Sequence, residues 1–514
     1  MKKNIIVIAG SIAIAAALMW LALDINTKKI EKVALTTVEG EPSDPAKSST
    51  WKQLYPRQYE TWASTRDSSE WEDMIETTPE QVIMRADPYS PTGPELLNIR
   101  GHYYSVIDFL TADGSGIPSE DGKDDTTSRC LRCHTSNARG LMERDGKMEF
   151  LSSSWTKYGS EALNPIGCVN CHDPKTAKLR MGPTGVDEML TAAGLPDFNH
   201  SSHQEKRALI CAQCHFEAYT ETVGWKDKKG NSREATVTRT PWKNGFTLDD
   251  MERFYDDGSN FSSGKPYYDF IHPISKTPII FSEHPDYELF KQGPHGKNGL
   301  ACADCHMPYK QEGGVKFTDH KIGCPLDAID RTCQTCHRKK EQYFKDVVAE
   351  KKKRKDMLAD IAMKNLTKAH LEAGKAWEAG ATEEEMAPVL ADIRSSFWKW
   401  NSVARAAYFH APEQTLKALA DSNNKAQSAR LALASILVKH GVTDYVAPEF
   451  KTKEEALSIL SLPHRKEYMQ AKCKFYETLA KKWVEDGKAN GTYDEDISYP
   501  ANMESRYTRE CQQR

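Results

Sequence analysis

The residues of this chain that are most able to do chemistry are ten cysteines and five histidines arranged as five CxxCH pentapeptides. The cysteine pairs are Cys130 and Cys133, Cys168 and Cys171, Cys211 and Cys214, Cys302 and Cys305, and Cys333 and Cys336; the histidines that follow them are His134, His172, His215, His306 and His337. In such a motif both thiols add covalently to the porphyrin and the adjacent histidine becomes the proximal ligand of the heme iron. A zinc ribbon also uses paired cysteines, but it does not require a histidine after every second cysteine. The sequence therefore predicts five covalently bound heme c groups.

Five heme irons need up to ten axial ligands, and the motifs supply half of them. Most histidines outside a motif are packed or exposed rather than ligating. Four of them, however, lie beside glycine or proline or at a predicted helix end, where a ring can point at a heme: His102, His295, His320 and His410. With these as distal ligands, four irons are saturated and suited to electron transfer, and one iron keeps an open position. A single open iron supplied by four closed ones is the arrangement of a multi-electron oxidoreductase.

The composition fits a chain that folds around such groups. Its 514 residues have a mean hydropathy of −0.64 and 28% are charged, which is polar for a protein of this size and consistent with hemes supplying apolar surface. The formal net charge of −4 gives no indication of a nucleic-acid partner.

The N-terminus predicts export. Lys2 and Lys3 precede an apolar run over residues 5–23, so residues 1–24 are a signal peptide or an uncleaved membrane anchor. Residues 25–50 are polar and form a predicted linker. Either interpretation puts the rest of the chain in the periplasm, free or tethered to the inner membrane by residues 5–23.

The remaining chain divides into two predicted regions. Residues 51–340 contain all five motifs and should form short helices and loops around the hemes, with an exposed polar excursion at 219–240. Residues 341–514 show apolar residues at helical spacing over 341–378, 383–410, 413–440 and 465–488. The prediction is a mainly α multiheme fold with little sheet, followed by a bundle of long helices. The cysteines outside the motifs, Cys324, Cys473 and Cys511, are predicted to be free packed thiols.

At the level of longer motifs, the chain resembles the ammonia-forming cytochrome c nitrite reductases, which are periplasmic pentaheme enzymes. The resemblance is dense at RGH (100–102), CAQCHFE (211–217), SKTPIIFSEHPDYE (275–288) and HGKNGLACADCHMP (295–308). It implies six-electron reduction of nitrite to ammonium, a multiheme quinol-oxidising electron donor, and a homodimer formed through the C-terminal helices. It also implies that the first heme, at Cys130 and Cys133, is the active one. By the same resemblance the distal ligands are His320 for the second heme, His102 for the third, His410 for the fourth and His295 for the fifth.

The first heme site departs from the family pattern. His134 stands where most members have a proximal lysine, a change that imidazole tolerates. The distal histidine is retained as His284, but the family's arginine and tyrosine positions are Gly114 and Ala218. Tyr219 is one residue from the tyrosine position. Each such donor typically contributes on the order of 10²–10³ in rate.

A family calcium site is altered as well. Its ligands would be the side chains of Glu217 and Glu283 and the backbone carbonyls of Ala218 and Phe281. Two carboxylates and two carbonyls suit a hard cation. The alternative is that both carboxylates are hydrogen-bonded or exposed without a metal.

Three functions remain open from the sequence. The first is a reductase of nitrite, with His284 donating protons at the open iron bound by His134. The second is an electron-transfer cytochrome that has lost this activity, with a sixth ligand at the first heme from His200 or His203. The third is a reductase with a changed substrate, such as hydroxylamine or sulfite.

Overall fold

The structure is a computed structural model that describes residues 14–20, 40–67, 74–90, 93–94, 100–112, 115–122, 127–404 and 407–497. Most of the predicted N-terminal segment and linker, as well as Gly114 and Cys511, lie outside the described residues. Within those ranges no helix is both long and apolar enough to cross a bilayer.

The described chain is mainly helical with little sheet, which confirms the predicted fold class. The α-helices are Pro56–Ala63 (α1), Glu80–Met84 (α2), Ser105–Thr111 (α3), Leu131–His134 (α4), Ala138–Asp145 (α5), Lys147–Ser152 (α6), Cys168–Cys171 (α7), Val186–Ala192 (α8), His203–Ala212 (α9), Leu248–Asp256 (α10), Asp286–Gln292 (α11), Pro294–Lys297 (α12), Cys302–His306 (α13), Glu341–Glu378 (α14), Glu383–Val403 (α15), Ala407–His410 (α16), Pro412–Lys439 (α17), Lys453–Leu457 (α18), Arg465–Phe475 (α19) and Lys481–Ala489 (α20). The strands form three antiparallel two-stranded pairs: Tyr219–Lys226 (β1) with Ser232–Arg239 (β2), Phe270–Ile271 (β3) with Pro278–Ile279 (β4), and Tyr309–Glu312 (β5) with Val315–Thr318 (β6).

Each CxxCH motif coincides with one turn of helix or ends one. The histidine N–H of the second, third and fifth motifs donates to the carbonyl of the first cysteine, for example His172 to Cys168 at 2.9 Å and His215 to Cys211 at 3.0 Å. Because residues three and four apart lie on the same side of a helical turn, both thiols and the imidazole face one direction. The local sequence thus fixes the shape of each attachment site.

The three longest helices form a bundle. α14 begins and ends where the sequence predicted, and α15 begins at a capping box in which Thr382 accepts from the Glu385 N–H and Glu385 accepts from the Thr382 N–H. α17 runs parallel to α14, and Arg430 on α17 reaches Glu372 on α14 with a guanidinium nitrogen 2.8 Å from the carboxylate. A core of buried side chains joins this bundle to the region of the third and fourth motifs.

The last helices do not join that bundle. α19, the π-helical turn Tyr476–Ala480 and α20 pack instead on the first-motif region, where Trp483 lies against the cluster that contains Trp155 and Phe150. The last described helices therefore cover the part of the chain that holds the first motif.

Two local expectations are corrected. The excursion predicted at 219–240 is the β1–β2 hairpin, and it is not wholly exposed, since Ala235 and Val237 are buried in the same core as the first motif. Cys473 is disulfide-bonded rather than free, and Cys324 is free but exposed rather than packed.

A buried pair of histidines joins α14 to the β3–β4 turn. The rings of His272 and His370 stack with their centres 3.9 Å apart, and both residues are fully buried. His272 Nε2 lies 2.7 Å from the carbonyl oxygen of Ile83, and His370 Nδ1 lies 2.8 Å from the Ser275 hydroxyl. These contacts pin three distant segments together with neutral imidazoles.

Acidification should destabilise the protein through this pair. Histidine in an unfolded chain has a pKa near 6.5, whereas burial lowers the pKa of His272 to about 4 and also lowers that of His370. The folded state therefore binds fewer protons, so the stability contributed by the pair is complete above pH 6.5 and is lost as the pH falls toward 4. For His272 the loss is roughly 3 kcal/mol.

The measurement is the Tm of the heme-loaded protein between pH 7 and 4. His272→Gln should flatten the acid limb, whereas substitution of the exposed His464 by Gln should leave it unchanged. Equal acid slopes in both variants and the wild type would contradict the assignment.

Candidate functional site

The motif histidines are oriented through their Nδ1 atoms. Nδ1 lies 3.0 Å from the carbonyl oxygen of Ser105 in His134, 2.8 Å from that of Ala177 in His172, and 3.0 Å from that of Gly323 in His306. A bond at Nδ1 fixes the tautomer and leaves Nε2 to bind a metal. Among the five residues predicted as proximal ligands, these three have Nδ1 next to a backbone carbonyl, so their Nε2 atoms are the ones placed to bind a metal.

Three predicted ligand pairs are brought together. The ring centres are 6.1 Å apart for His172 and His320, 6.1 Å for His306 and His410, and 6.3 Å for His337 and His295. A metal–imidazole bond is roughly 2 Å, so two rings on opposite sides of one metal have centres roughly 6 Å apart. The arrangement therefore fits one iron between the members of each pair.

Burial prepares the distal partners for ligation. It lowers the pKa of His320 to about 4 and also lowers the pKa of His410, which keeps both imidazoles neutral, as metal ligands must be. His410 Nδ1 is buried and has no hydrogen-bond partner among the described residues. A buried polar atom without a partner is costly unless another group, such as a metal, satisfies it.

The fifth pair borders an open cavity. This space of about 540 Å³ lies between the first turns of α14 and the start of α17, with Tyr343, Lys351 and Tyr408 in its wall. The charge of Lys351 acts on His295, and Phe409 stacks on the ring of His295 with a 5.7 Å centre separation. Tyr408 and Phe409 immediately precede His410, so the α16 segment borders both the fourth and the fifth pair.

Two histidines approach His215. The ring centre of His284 is 6.1 Å away. His102 is half-buried and interacts with the charge of His215, and burial lowers the pKa of His102 to about 4. Asp286 contacts His215 Nδ1, and the Asp286 N–H donates to the His284 carbonyl at 2.7 Å. This tight turn holds His284 next to Asp286, which contacts Nδ1 of His215. We therefore infer that His284 lies on the Nδ1 side of the His215 ring and that the Nε2 side of that ring is left for His102.

The five motifs lie next to one another in space. The thiols of Cys133 and Cys214 interact electrostatically, as do those of Cys211 and Cys302, so each pair lies close together. Cys305 interacts electrostatically with the fifth-motif cysteines, and Cys171 of the second motif with Cys214. The order of contact is first, third, fourth and fifth, with the second beside the third.

The first motif has different surroundings from the others. The ring of His134 stacks on Phe109 of α3, with centres 4.6 Å apart, and Ser105 contacts His134 through both its carbonyl and its hydroxyl. Among the described residues no second imidazole is in ring contact with His134. The loop that leads to His284 also comes near this motif, since the charge of Glu283 acts on the Cys130 thiol.

Buried Glu217 anchors this loop. One carboxylate oxygen accepts from the Ser282 hydroxyl at 2.9 Å and from the Glu283 N–H at 3.1 Å, and the other accepts from the Tyr255 hydroxyl at 3.1 Å. Burial and the nearby charge of Glu288 raise the pKa of Glu217 well above its usual value. A carboxylate has further lone pairs, so this environment would gain from a cation.

The remaining predicted calcium ligands flank Glu217. Glu283 is exposed, while Ala218 and Phe281 are half-buried. The described residues contain no cluster of three or more histidine, cysteine or acidic side chains arranged for a metal ion. A site here would therefore depend on two carboxylates completed by backbone carbonyls.

The tyrosine next to Ala218 is occupied elsewhere. Tyr219 begins β1 and its ring lies 5.4 Å from that of Tyr267 and 5.6 Å from that of Phe254. Held in this aromatic cluster, Tyr219 is not a ready replacement for a tyrosine at position 218.

The histidines considered for an alternative sixth ligand lie at the surface. The side chain of His200 is 81% exposed, with Nδ1 2.8 Å from the Asp197 carboxylate, and His203 is the exposed first residue of α9. Neither is in ring contact with His134.

Sequence reasoning missed several groups at these sites. Ser105 and Phe109 on α3, Tyr255 on α10 and Asp286 on α11 all contact predicted site residues. Only Asp286 had a signal, its place within EHPDYE beside His284. Its partner His215 lies 71 residues earlier in the chain, so the contact itself was not visible.

The mainly helical fold and the adjoining CxxCH turns with facing histidines define a multiheme c-type cytochrome. The chain belongs to the cytochrome c552 family, whose model matches residues 47–493. This is also the family to which the sequence resemblance pointed, that of the cytochrome c nitrite reductases.

Curated relatives and a solved structure agree with this assignment. Cytochrome c-552 of Aliarcobacter butzleri is 40% identical over 96% of this chain and 97% of its own, and that of Maridesulfovibrio salexigens is 40% identical over 98% and 100%. The structure of cytochrome c nitrite reductase from Desulfovibrio desulfuricans, described with two calcium sites, superposes with a TM-score of 0.68. The two are 26% identical, over 85% of this chain and 95% of that one.

The two neighbours of His215 can be told apart by spin state. His102→Ala should convert one low-spin heme per chain to high-spin, because an imidazole ligand is lost. His284→Ala should leave the number of high-spin hemes at the wild-type value. Quantitative EPR of the oxidised proteins measures both, and an additional high-spin heme in His284→Ala would reverse the assignment.

Proposed function

We propose that this protein is a pentaheme reductase that converts nitrite to ammonium at the first heme site. The observation that carries the proposal is the contrast between His134 and three of the other motif histidines. His172, His306 and His337 each face a second histidine at a distance that fits one iron, whereas His134 is stacked on Phe109. The site held by His134 is thus the one suited to bind a substrate.

The residues have distinct tasks. Heme, when bound, would transfer the electrons that the external donor supplies and would offer a coordination position for the substrate. His134, oriented by Ser105, holds the proximal side. His102, His295, His320 and His410 close the other four sites as distal ligands, so that these sites only transfer electrons.

Proton supply is assigned to His284. Reduction of nitrite to ammonium consumes six electrons and eight protons, so each N–O cleavage needs a proton donor close to the departing oxygen. His284 is exposed and lies in a loop that Glu217 fixes through Ser282 and Glu283. A positioned acid of this kind typically contributes 10²–10⁴ in rate.

Calcium is proposed at the same anchor. Glu217 and Glu283 with the carbonyls of Ala218 and Phe281 would supply oxygen ligands of the type that Ca²⁺ prefers. The raised pKa of Glu217 supports a cation there, since a positive charge would stabilise the buried carboxylate. Metal analysis of the purified protein, before and after treatment with a chelator, tests the proposal; protein that retains no calcium before chelation would refute it.

Cellular context and assembly follow from the same family. We propose a periplasmic location, reached through the N-terminal segment, and a multiheme quinol-oxidising electron donor. A homodimer through the long helices is supported by α17, whose outer face leaves Leu431 74% and Val438 61% exposed. Large apolar side chains in one exposed line favour helix-to-helix association.

Substrate and proton donor are tested together. The wild-type protein with a reduced dye should turn over nitrite, and His284→Asn should lower kcat at least about 10²-fold because the acid is lost, with an unchanged optical spectrum. Hydroxylamine and sulfite are assayed in parallel. Turnover of hydroxylamine or sulfite without turnover of nitrite would identify a reductase with a changed substrate. If none of the three compounds is turned over and every heme is low-spin, the protein is an electron carrier.

The missing tyrosine gives a gain-of-function test. Ala218→Tyr restores a hydroxyl donor at the family's tyrosine position and should raise kcat/KM for nitrite tenfold or more. Ala218→Phe, which adds the ring without the hydroxyl, is the matched control. Equal rates for both variants would show that ring packing rather than hydrogen bonding matters at this position.

A further inference from the structure

His215 differs from three other motif histidines in the group bonded to Nδ1. His134, His172 and His306 have a neutral backbone carbonyl there. His215 has the carboxylate of Asp286, with Oδ2 3.2 Å from Nδ1. A charged acceptor makes a stronger hydrogen bond than a neutral one.

Asp286 is held in place against His215 by its neighbours. The N–H of Tyr287 donates to the carbonyl oxygen of His215 at 3.2 Å, and the N–H of Asp286 donates to the carbonyl of His284. Tyr287 is itself fixed by a 2.8 Å bond from its hydroxyl to Glu205 on α9, the helix that leads into the third motif. The carboxylate and the imidazole are therefore parts of one rigid unit.

We propose that Asp286 is a positioning residue that lowers the reduction potential of the heme attached at Cys211 and Cys214. A carboxylate on the far nitrogen makes an imidazole a more basic ligand. A more basic ligand and a nearby negative charge both stabilise the oxidised iron relative to the iron that has gained an electron. Hydrogen bonding around the axial ligand is one of the levers by which a protein sets heme potential.

The position of the third motif among the others indicates why a low reduction potential would be useful there. The cysteines of the third motif interact electrostatically with those of the first, the second and the fourth, so this motif lies next to all three. With hemes bound, electrons that move between these sites would have a short path through this junction. A lower potential there favours passing an electron on over storing it.

The inference rests on His215 as a proximal ligand and not on the substrate, so it stands or falls separately from nitrite reduction. The test is a spectroelectrochemical titration of the purified holoprotein, with heme content checked by mass. Asp286→Asn should raise one midpoint, increasing the reduced-to-oxidised ratio of that heme at fixed potential about tenfold or more. A tenfold change corresponds to 59 mV for one electron.

Two further variants make the result decisive. Asp286→Glu keeps the charge and should leave every reduced-to-oxidised ratio within about threefold of the wild type. Asp173→Asn also removes a carboxylate beside a motif histidine, but Asp173 bonds Thr176 and Arg180 rather than an imidazole; it should likewise shift no ratio beyond threefold. Unchanged midpoints in a fully loaded Asp286→Asn protein would overturn the proposal. Loss of one heme from Asp286→Asn but not from Asp286→Glu would show a role in assembly and would overturn it as well.

Discussion

The pairing of histidine rings from distant parts of the chain is the interaction on which the rest of this structure depends. Each pair joins a short CxxCH turn to a histidine far away in the chain, as with His172 and His320 or His306 and His410. Closing such loops costs conformational entropy, which metal bonds at the proposed ligand pairs would offset. With hemes bound as proposed, the irregular chain between the motifs would be ordered by the groups it encloses more than by its own helix propensity.

The same constraint explains how the long-helix bundle is placed. His410 ends the short helix α16, which separates α15 from α17. Bringing His410 opposite His306 fixes the start of α17, and the neighbouring Phe409 covers His295 of the fifth pair. A side chain at one helix end thus sets where the whole bundle lies against the heme region. The buried His272 and His370 stack secures the middle of α14 to the β3–β4 turn.

The first site differs from the paired sites, because His134 has no second imidazole among its ring contacts in the described residues. His134 is held as firmly as its siblings, by Ser105 and Phe109, but a phenyl ring takes the place of a second imidazole among its ring contacts. The loop bearing His284 is fixed by a buried carboxylate, Glu217, rather than by a metal bond of its own. This arrangement fits the role proposed for His284, a proton donor that is positioned at a site without being a ligand there.

The sequence by itself determined the cofactor class, the mainly helical fold and the longest helix, since each depends on residues within one turn or one helical period. The spacing in CxxCH fixes a single helical turn, and the periodicity of residues 341–378 fixes α14. The sequence could not reveal that Asp286 contacts His215 or that Cys473 is disulfide-bonded. Nor could it reveal that the β1–β2 hairpin buries its inner face or that the last described helices cover the first motif. Those features depend on which distant segments meet in space, and only the packing of the folded chain decides that, because contacts between residues far apart in sequence leave no local periodicity to read.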